Sequence, residues 1–319
     1  MNWSKVKWFF ILCLLVANFI LGWQLVTRYL DRNVISDDAI FDAAALLSRV
    51  GIVVSEDAVP GETVRDYVYR IGYDGAAFSA AIADMADSAV TGTYLGASSG
   101  ISLVFENGDS AMYYPTLYFS YRHNGTTGED MVKAYESDPT QWIHAEGSEA
   151  EAAAKVAKEL LSGMTEAQNN DGVRLVPQLD AVLKQKGSDR FLVRFSEVLL
   201  RRGSRSGAVL RGTSVTVAVI EETVYYVSGT WLPFLPSETF ATTKLDQLGL
   251  LFSERERRLA SGDDLSIVRR LNAMERAYYM VWDDKGDIYL RPGWLLSYTE
   301  GERAFQTLCD GASGVVLEE

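Results

Sequence analysis

The sequence predicts an α+β fold, in which one N-terminal transmembrane helix precedes two related extracytoplasmic modules of antiparallel sheet plus helices. Three observations predict it. The nineteen residues from Trp8 to Val26 carry no formal charge, and at about 1.5 Å per residue they cross roughly 30 Å of hydrocarbon. The remaining part, about 290 residues, exceeds a single ordinary core. Within it, a helical pattern followed by alternating strands occurs twice, which is the pattern of sheets with one face covered by helices.

The N-terminal run has no small-x-small cleavage site and passes directly into Gln24, Thr27, Arg28 and Tyr29, so it reads as an anchor and not as a cleaved leader. Lys5 and Lys7 precede it without an acidic neighbour, whereas Arg28 and Arg32 beyond it mix with Asp31, Asp37 and Asp38. The positive-inside rule then keeps residues 1–7 cytoplasmic and sends the bulk of the chain outside the cell membrane. Trp3, Trp8, Trp23 and Tyr29 bracket the span at the depth amphipathic rings prefer. An inert tether accounts for such a span. Against that reading, Asn18 is an amide near mid-membrane, and Leu14, Asn18 and Gly22 share one stripe at spacing four. Small and polar residues on one stripe favour helix association in lipid, at about 1 kcal/mol per hydrogen bond. This stripe is the expected transmembrane partner contact.

Only two of the 30 basic residues, Lys5 and Lys7, precede the span, and all 43 acidic residues follow it, so the outer part has a formal charge of −15. Nucleic acid is a poor partner for that charge. Cys13 lies in the span and Cys309 is the sole cysteine outside, so no intrachain disulfide joins the outer part.

Residues 27–147 form the first expected module. Ser36 starts a helix with Ile40, Ala44, Leu47 and Val50 on one face, Gly51 ends it, and Ile52 to Val54 form a short strand. A second helix is expected over Ala76 to Ser88. ISLVFENGDSAMYY reads as two strands around an Asn107-Gly108 turn, a dipeptide that tolerates positive φ. Residues 148–319 form the second module. Ser148 and Glu151 make a capping box, and Gly163 stops that helix. After a polar loop come three alternating strands, DRFLVRFSEVLL, TSVTVAVIE and TVYYVSGTW, expected as an antiparallel meander. Ser237 to Leu259 is expected to be mostly helical, and AYYMVWDDKGDIYL to be a hairpin turning at Asp284, Lys285 and Gly286.

Catalytic chemistry finds little support in the residue pattern. His123 and His144 have no serine elbow or reactive cysteine motif beside them. Two histidines and one outer cysteine scattered from 123 to 309 do not have zinc spacing, so no metal is expected. The acid pairs Glu129-Asp130 and Asp283-Asp284 read as solvated turn residues and not as a glycosidase pair. No P-loop, dinucleotide glycine pattern or calcium loop is present, and no cofactor is implied. Arg201, Arg202, Arg205 and Arg211 form one basic cluster, which could meet phosphates of lipid or wall polymer and is explained at least as well as a polar hairpin loop joining two strands. ERERRLASGDD reads as the wet face of a helix.

Trp3, Ser4 and Lys5 before an uncleaved span resemble the start of YycI-type regulatory proteins. The stretch DAAALLSRVGIVVSEDAVP, from Asp42 to Pro60, is similar to their helix-then-strand entry after the membrane. Gly229-Thr230-Trp231, and the late hairpin with Tyr289 followed by Gly301-Glu302, are similar to their second module. Residues 61–147 match only in element order, and RPGWLLSYTEGERAF departs from the tidier ending expected. The resemblance is to the YycI/YycH family, regulators of the cell-wall two-component system known as WalK/WalR or YycG/YycF. It implies a non-enzymatic protein that associates with a membrane sensor histidine kinase, partly through transmembrane helices, together with a YycH-like sister protein. The alternative is an extracytoplasmic binding module for a wall precursor, peptide or lipoprotein, with the span as a simple tether.

Overall fold

A computed structural model of the chain describes residues 35–61, 66–72, 75–95, 100–123, 125–163, 172–201, 207–232, 236–241, 247–262 and 264–318. The expected span at 8–26, with Leu14, Asn18 and Gly22, lies outside the described residues, as do Arg202 and Arg205. Among the described residues, no helix is long and apolar enough to cross a membrane.

The described part of the chain is an α+β structure dominated by mixed sheet. Helix α1 (Asp37–Ser48) starts as expected: the Ser36 side chain caps the Ala39 N–H. Its core face holds Ala43 and Leu47. Gly51, at φ +77°, reverses the chain into β1 (Ile52–Val54). Then come β2 (Tyr67–Ile71), α2 (Gly75–Ala86), and four antiparallel strands: β3 (Val90–Leu95), β4 (Ile101–Phe105), β5 (Ser110–Tyr113) and β6 (Tyr118–Arg122). In the β4–β5 turn only Gly108 takes positive φ, and the Asn107 side chain instead bonds Asp109. Glu129 and Asp130 are not turn residues; they sit in the first turn of α3 (Thr127–Ser137), where acidic side chains complement the helix dipole. The short β7 (Trp142–His144) precedes α4 (Ser148–Gly163).

Strand β8 (Val173–Gln185) follows, and the sequence reading had no counterpart for it. The expected meander is present as β9 (Arg190–Arg201), β10 (Ala208–Ile220) and β11 (Thr223–Thr230), antiparallel in succession. The stretch expected to be mostly helical from Ser237 begins instead with β12 (Pro236–Ala241), paired antiparallel to β2, and only then forms α5 (Gln247–Ala260). A partner strand about 170 residues away overrides local propensity there. The chain closes with β13 (Arg269–Trp282), β14 (Ile288–Glu300), β15 (Arg303–Asp310) and β16 (Val316–Glu318). The expected turn holds, with Gly286 at φ +83° and Asp283 accepting from the Lys285 and Asp287 N–H groups. Pairing is not purely antiparallel: β13 lies parallel to β1 at Arg269–Leu271 and to β10 at Ala277–Tyr278.

Contacts divide the chain into two compact units. The smaller draws on Met1–Asp66, Thr243–Glu275 and Trp294–Glu319, the larger on Tyr67–Thr242 and Arg276–Gly293. Residues on both sides of Gly147 belong to the larger unit. The core of the smaller unit gathers Leu47, Ile52, Leu250, Trp294, Leu296 and Tyr298. It is stitched by buried polar groups that the reading of ERERRLASGDD as a wet face did not anticipate. Glu254 and Arg258 are buried, because every third to fourth residue of α5 turns inward with Leu250 and Leu251. Arg258 Nη2 donates to the carbonyls of Asp264 and Ile267 at 3.1 and 3.0 Å. In the larger unit, the inward residues of β9, β10 and β11 pack with Trp231, Tyr278 and Leu290. There β10 changes partners: Val209–Leu210 pairs with β13, and from Ser214 onward the strand pairs with β11.

Candidate binding cleft

Helix α4 lies over strands β8 and β9. Its inward face is Ala150, Ala153, Ala157 and Leu161, at spacings of three and four. Three of these four are alanines, so the helix covers the sheet thinly along its N-terminal half. A cleft of about 660 Å³ remains, inside the range of about 300–1,000 Å³ usual for ligand sites. Leu179, Val182 and Phe195 line it from the sheet, and Ala150 and Ala154 from the helix. Leu179 is 46% exposed because the register of β8 against β9 shifts between Leu179 and Ala181. Glu146, Glu151, Lys155 and Lys158 stand around the cleft. Lys155 reaches Glu159 at 3.9 Å, and among the described residues Glu146, Glu151 and Lys158 have no ionic partner.

A second polar cluster forms at the β4–β5 turn and the end of β6. The carboxylate of Asp109, 1% exposed, accepts from Tyr121 Oη at 2.5 Å and from Asn107 Nδ2 at 2.8 Å, and lies 3.0 Å from His123 Nδ1. Tyr225 packs edge-on against the imidazole, with ring centroids 5.6 Å apart. His123 is therefore held by a buried acid, where the sequence alone placed it in a polar loop. Desolvation, with Asp109 as hydrogen-bond partner, pushes the Tyr121 hydroxyl well above its ordinary range and keeps it a donor. This is an orienting network, and it lies apart from the residues that line the cleft.

The remaining sequence candidates scatter. His144 is exposed on β7, and Cys309 is buried in the smaller unit's core. Arg201 stacks on the Tyr67 ring at 4.3 Å. Glu129 is held by Arg122 and by Lys133 at 2.7 Å, and these contacts draw its carboxyl below the usual range, the Lys133 bond foremost. Among the described residues, no group of three or more His, Cys, Asp or Glu could hold a metal ion. No family model matches the chain, and no curated protein matches it. Solved structures with a weak likeness include the following two. One is an uncharacterized protein from Eubacterium rectale, with TM-score 0.47 and 11% identity over 84% of this chain and 91% of that one. The other is the Bacillus megaterium YpeB C-terminal domain, with TM-score 0.34 and 10% identity over 77% of this chain and 96% of that one.

Sequence reasoning missed the cleft. Its one signal was the alanine-rich face of SEAEAAAKVAKELLSG, but the apolar floor arrives 25 or more residues later, on strands whose docking no local pattern encodes.

Proposed function

We propose that this protein is a membrane-anchored, non-enzymatic regulator of a sensor histidine kinase controlling cell-wall metabolism, with its bulk outside the cell. The observation that carries a binding role is the cleft beside α4, whose floor is apolar and whose rim is charged. A regulator of this kind needs different affinity for two kinase states, because a partner that binds both equally shifts nothing. Occupancy of the outer cleft and packing of the Leu14, Asn18 and Gly22 stripe are the two handles through which such a difference would arise. The YycI/YycH resemblance, a YycH-like sister partner and the pairing of two related helix-and-sheet modules belong to the same reading. The recurrence of a helix with antiparallel strands, α2 with β3–β6 and α4 with β8–β11, supports the last of these.

Replacing Asn18 and Gly22 by leucine tests it. Co-purification of the kinase is expected to fall and kinase output to change with it, and unchanged values for both would remove the transmembrane docking idea. The cleft also favours a second reading, in which the outer part recognises a wall precursor, peptide or lipoprotein and the span is only a tether. Signalling that survives exchange of the span for an unrelated one supports that alternative.

A further inference from the structure

The charges around the cleft beside α4 are sorted by sign. Glu146 precedes the helix and Glu151 lies in its first turn, whereas Lys155 and Lys158 follow one and two turns later. Seven residues separate Glu151 from Lys158, which is about 10 Å along a helix axis. An acidic pole and a basic pole thus flank an apolar floor of Leu179, Val182 and Phe195. An extended chain advances about 3.3–3.6 Å per residue, so three residues span the same distance.

We propose that the cleft binds a short extended peptide of about three residues with both termini free. Its ammonium would meet Glu146 and Glu151, its carboxylate Lys155 and Lys158, and its middle side chain would rest on the apolar floor. This inference rests on the binding role proposed above and names its ligand class. Charge complementarity selects the occupant. An anionic amphiphile leaves Glu146 and Glu151 facing its own charge, a cationic one leaves the lysines so, and a purely apolar guest leaves both poles unused. A zwitterion of matching length satisfies both, through charge-assisted hydrogen bonds that outweigh neutral ones.

The test is calorimetric titration of the full-length protein in detergent with Ala-Phe-Ala, set against its N-acetylated and its C-amidated forms. Binding of the free tripeptide is expected, weakened at least about tenfold by either block. Lys155→Gln with Lys158→Gln should remove the penalty for amidation and leave that for acetylation, and Glu146→Gln with Glu151→Gln should do the reverse. All four residues are exposed, so these variants are expected to keep the wild-type melting temperature. Equal affinity for free and blocked peptides, or no binding at millimolar concentration, overturns the peptide inference. Neither outcome alters the result of the Asn18 and Gly22 experiment, so the two failures are separable.

Discussion

The backbone N–H of Leu232 donates to Glu197 Oε2 at 2.8 Å, between two residues that are 0% exposed. Glu197 lies on β9 opposite Leu210, next to the point where the pairing of β10 shifts. Thr213 ties the same place together, accepting from the Glu197 N–H and donating to the Leu210 carbonyl. Among the described residues, the second carboxyl oxygen, Oε1, has no hydrogen-bond partner, and nor does Trp231 Nε1.

Burial therefore holds the Glu197 carboxyl well above its ordinary 4.5, with the Leu232 N–H opposing in part. The folded state keeps a proton that the unfolded chain releases, so from about pH 4.5 upward this residue lowers stability progressively, until its own folded-state titration is passed. Glu197→Gln keeps the acceptor and has no proton to lose. Its melting temperature is expected to match the wild type near pH 4 and to exceed it by a margin that widens toward pH 8. Parallel curves over that range would show that Glu197 is not protonated.

In the smaller unit, Tyr298 Oη donates to Glu254 Oε2 at 2.7 Å, and Arg257 adds bonds to both oxygens at 3.0 and 3.1 Å. Tyr298→Phe removes one bond to a buried charge, with an expected loss of about 1.5–3 kcal/mol in urea unfolding. Glu254→Ala takes the acceptor from three donors, Tyr298 Oη and Arg257 Nε and Nη2, and about 3–5 kcal/mol is expected. Glu256→Ala two residues on, at a side chain 69% exposed, should stay within about 0.5 kcal/mol.

Gly229 tests the packing between β10 and β11. Its φ is +148°, and a Cβ there would lie 2.0 Å from the Ser214 carbonyl oxygen and 2.8 Å from Val215 Cα. Backbone cannot move aside as a flexible side chain can. Gly229→Ala is expected to cost about 3 kcal/mol or more, whereas Gly187→Ala, with nothing within 4 Å, should show only the modest cost of its left-handed φ, about 1 kcal/mol.

Elements whose signals are local were legible in the sequence. The Ser36 cap, the Gly51 reversal, the β4–β5 hairpin and the β9–β11 meander each depend on residues within a turn or on strict alternation. What depended on distant partners was not legible. Strand β8 alternates through Val173, Leu175 and Pro177, but its period breaks at the Leu179–Ala181 shift, and the proline argues against a ladder. Strand β12 has only Phe240 as a large apolar residue, and its place is set by β2. Glu254 and Arg258 looked solvated because charge predicts exposure on average, and only the arrival of Tyr298 and the 264–267 loop reverses that. The cleft belongs to the same class. Its alanines were visible, but the strands they fail to cover were not.

The turn between β10 and β11 gives the last prediction. Ile220 pairs with Thr223, so the loop has two residues, Glu221 and Glu222, and both take positive φ, +48° and +62°. That is the mirror-image turn matched to strand twist, which asparagine and glycine enter freely and glutamate does not. The two glutamates also line a hollow of about 180 Å³ with Glu149 and Asp189, which Lys184 engages at 2.7 and 3.3 Å, so the like charge left over from four carboxylates and one ammonium adds to the backbone strain. Glu222→Gly relieves about 1–2 kcal/mol of left-handed strain and returns part of it through the freer unfolded chain, a net gain of about 1 kcal/mol. With Glu221→Asn added, the gain should approach 2 kcal/mol, or a melting temperature higher by roughly 4–8 °C for a unit of this size. Glu222→Gln separates the two causes, because it removes the charge and keeps the φ. A gain from Glu222→Gln equal to that from Glu222→Gly would assign the whole effect to repulsion and none to the backbone.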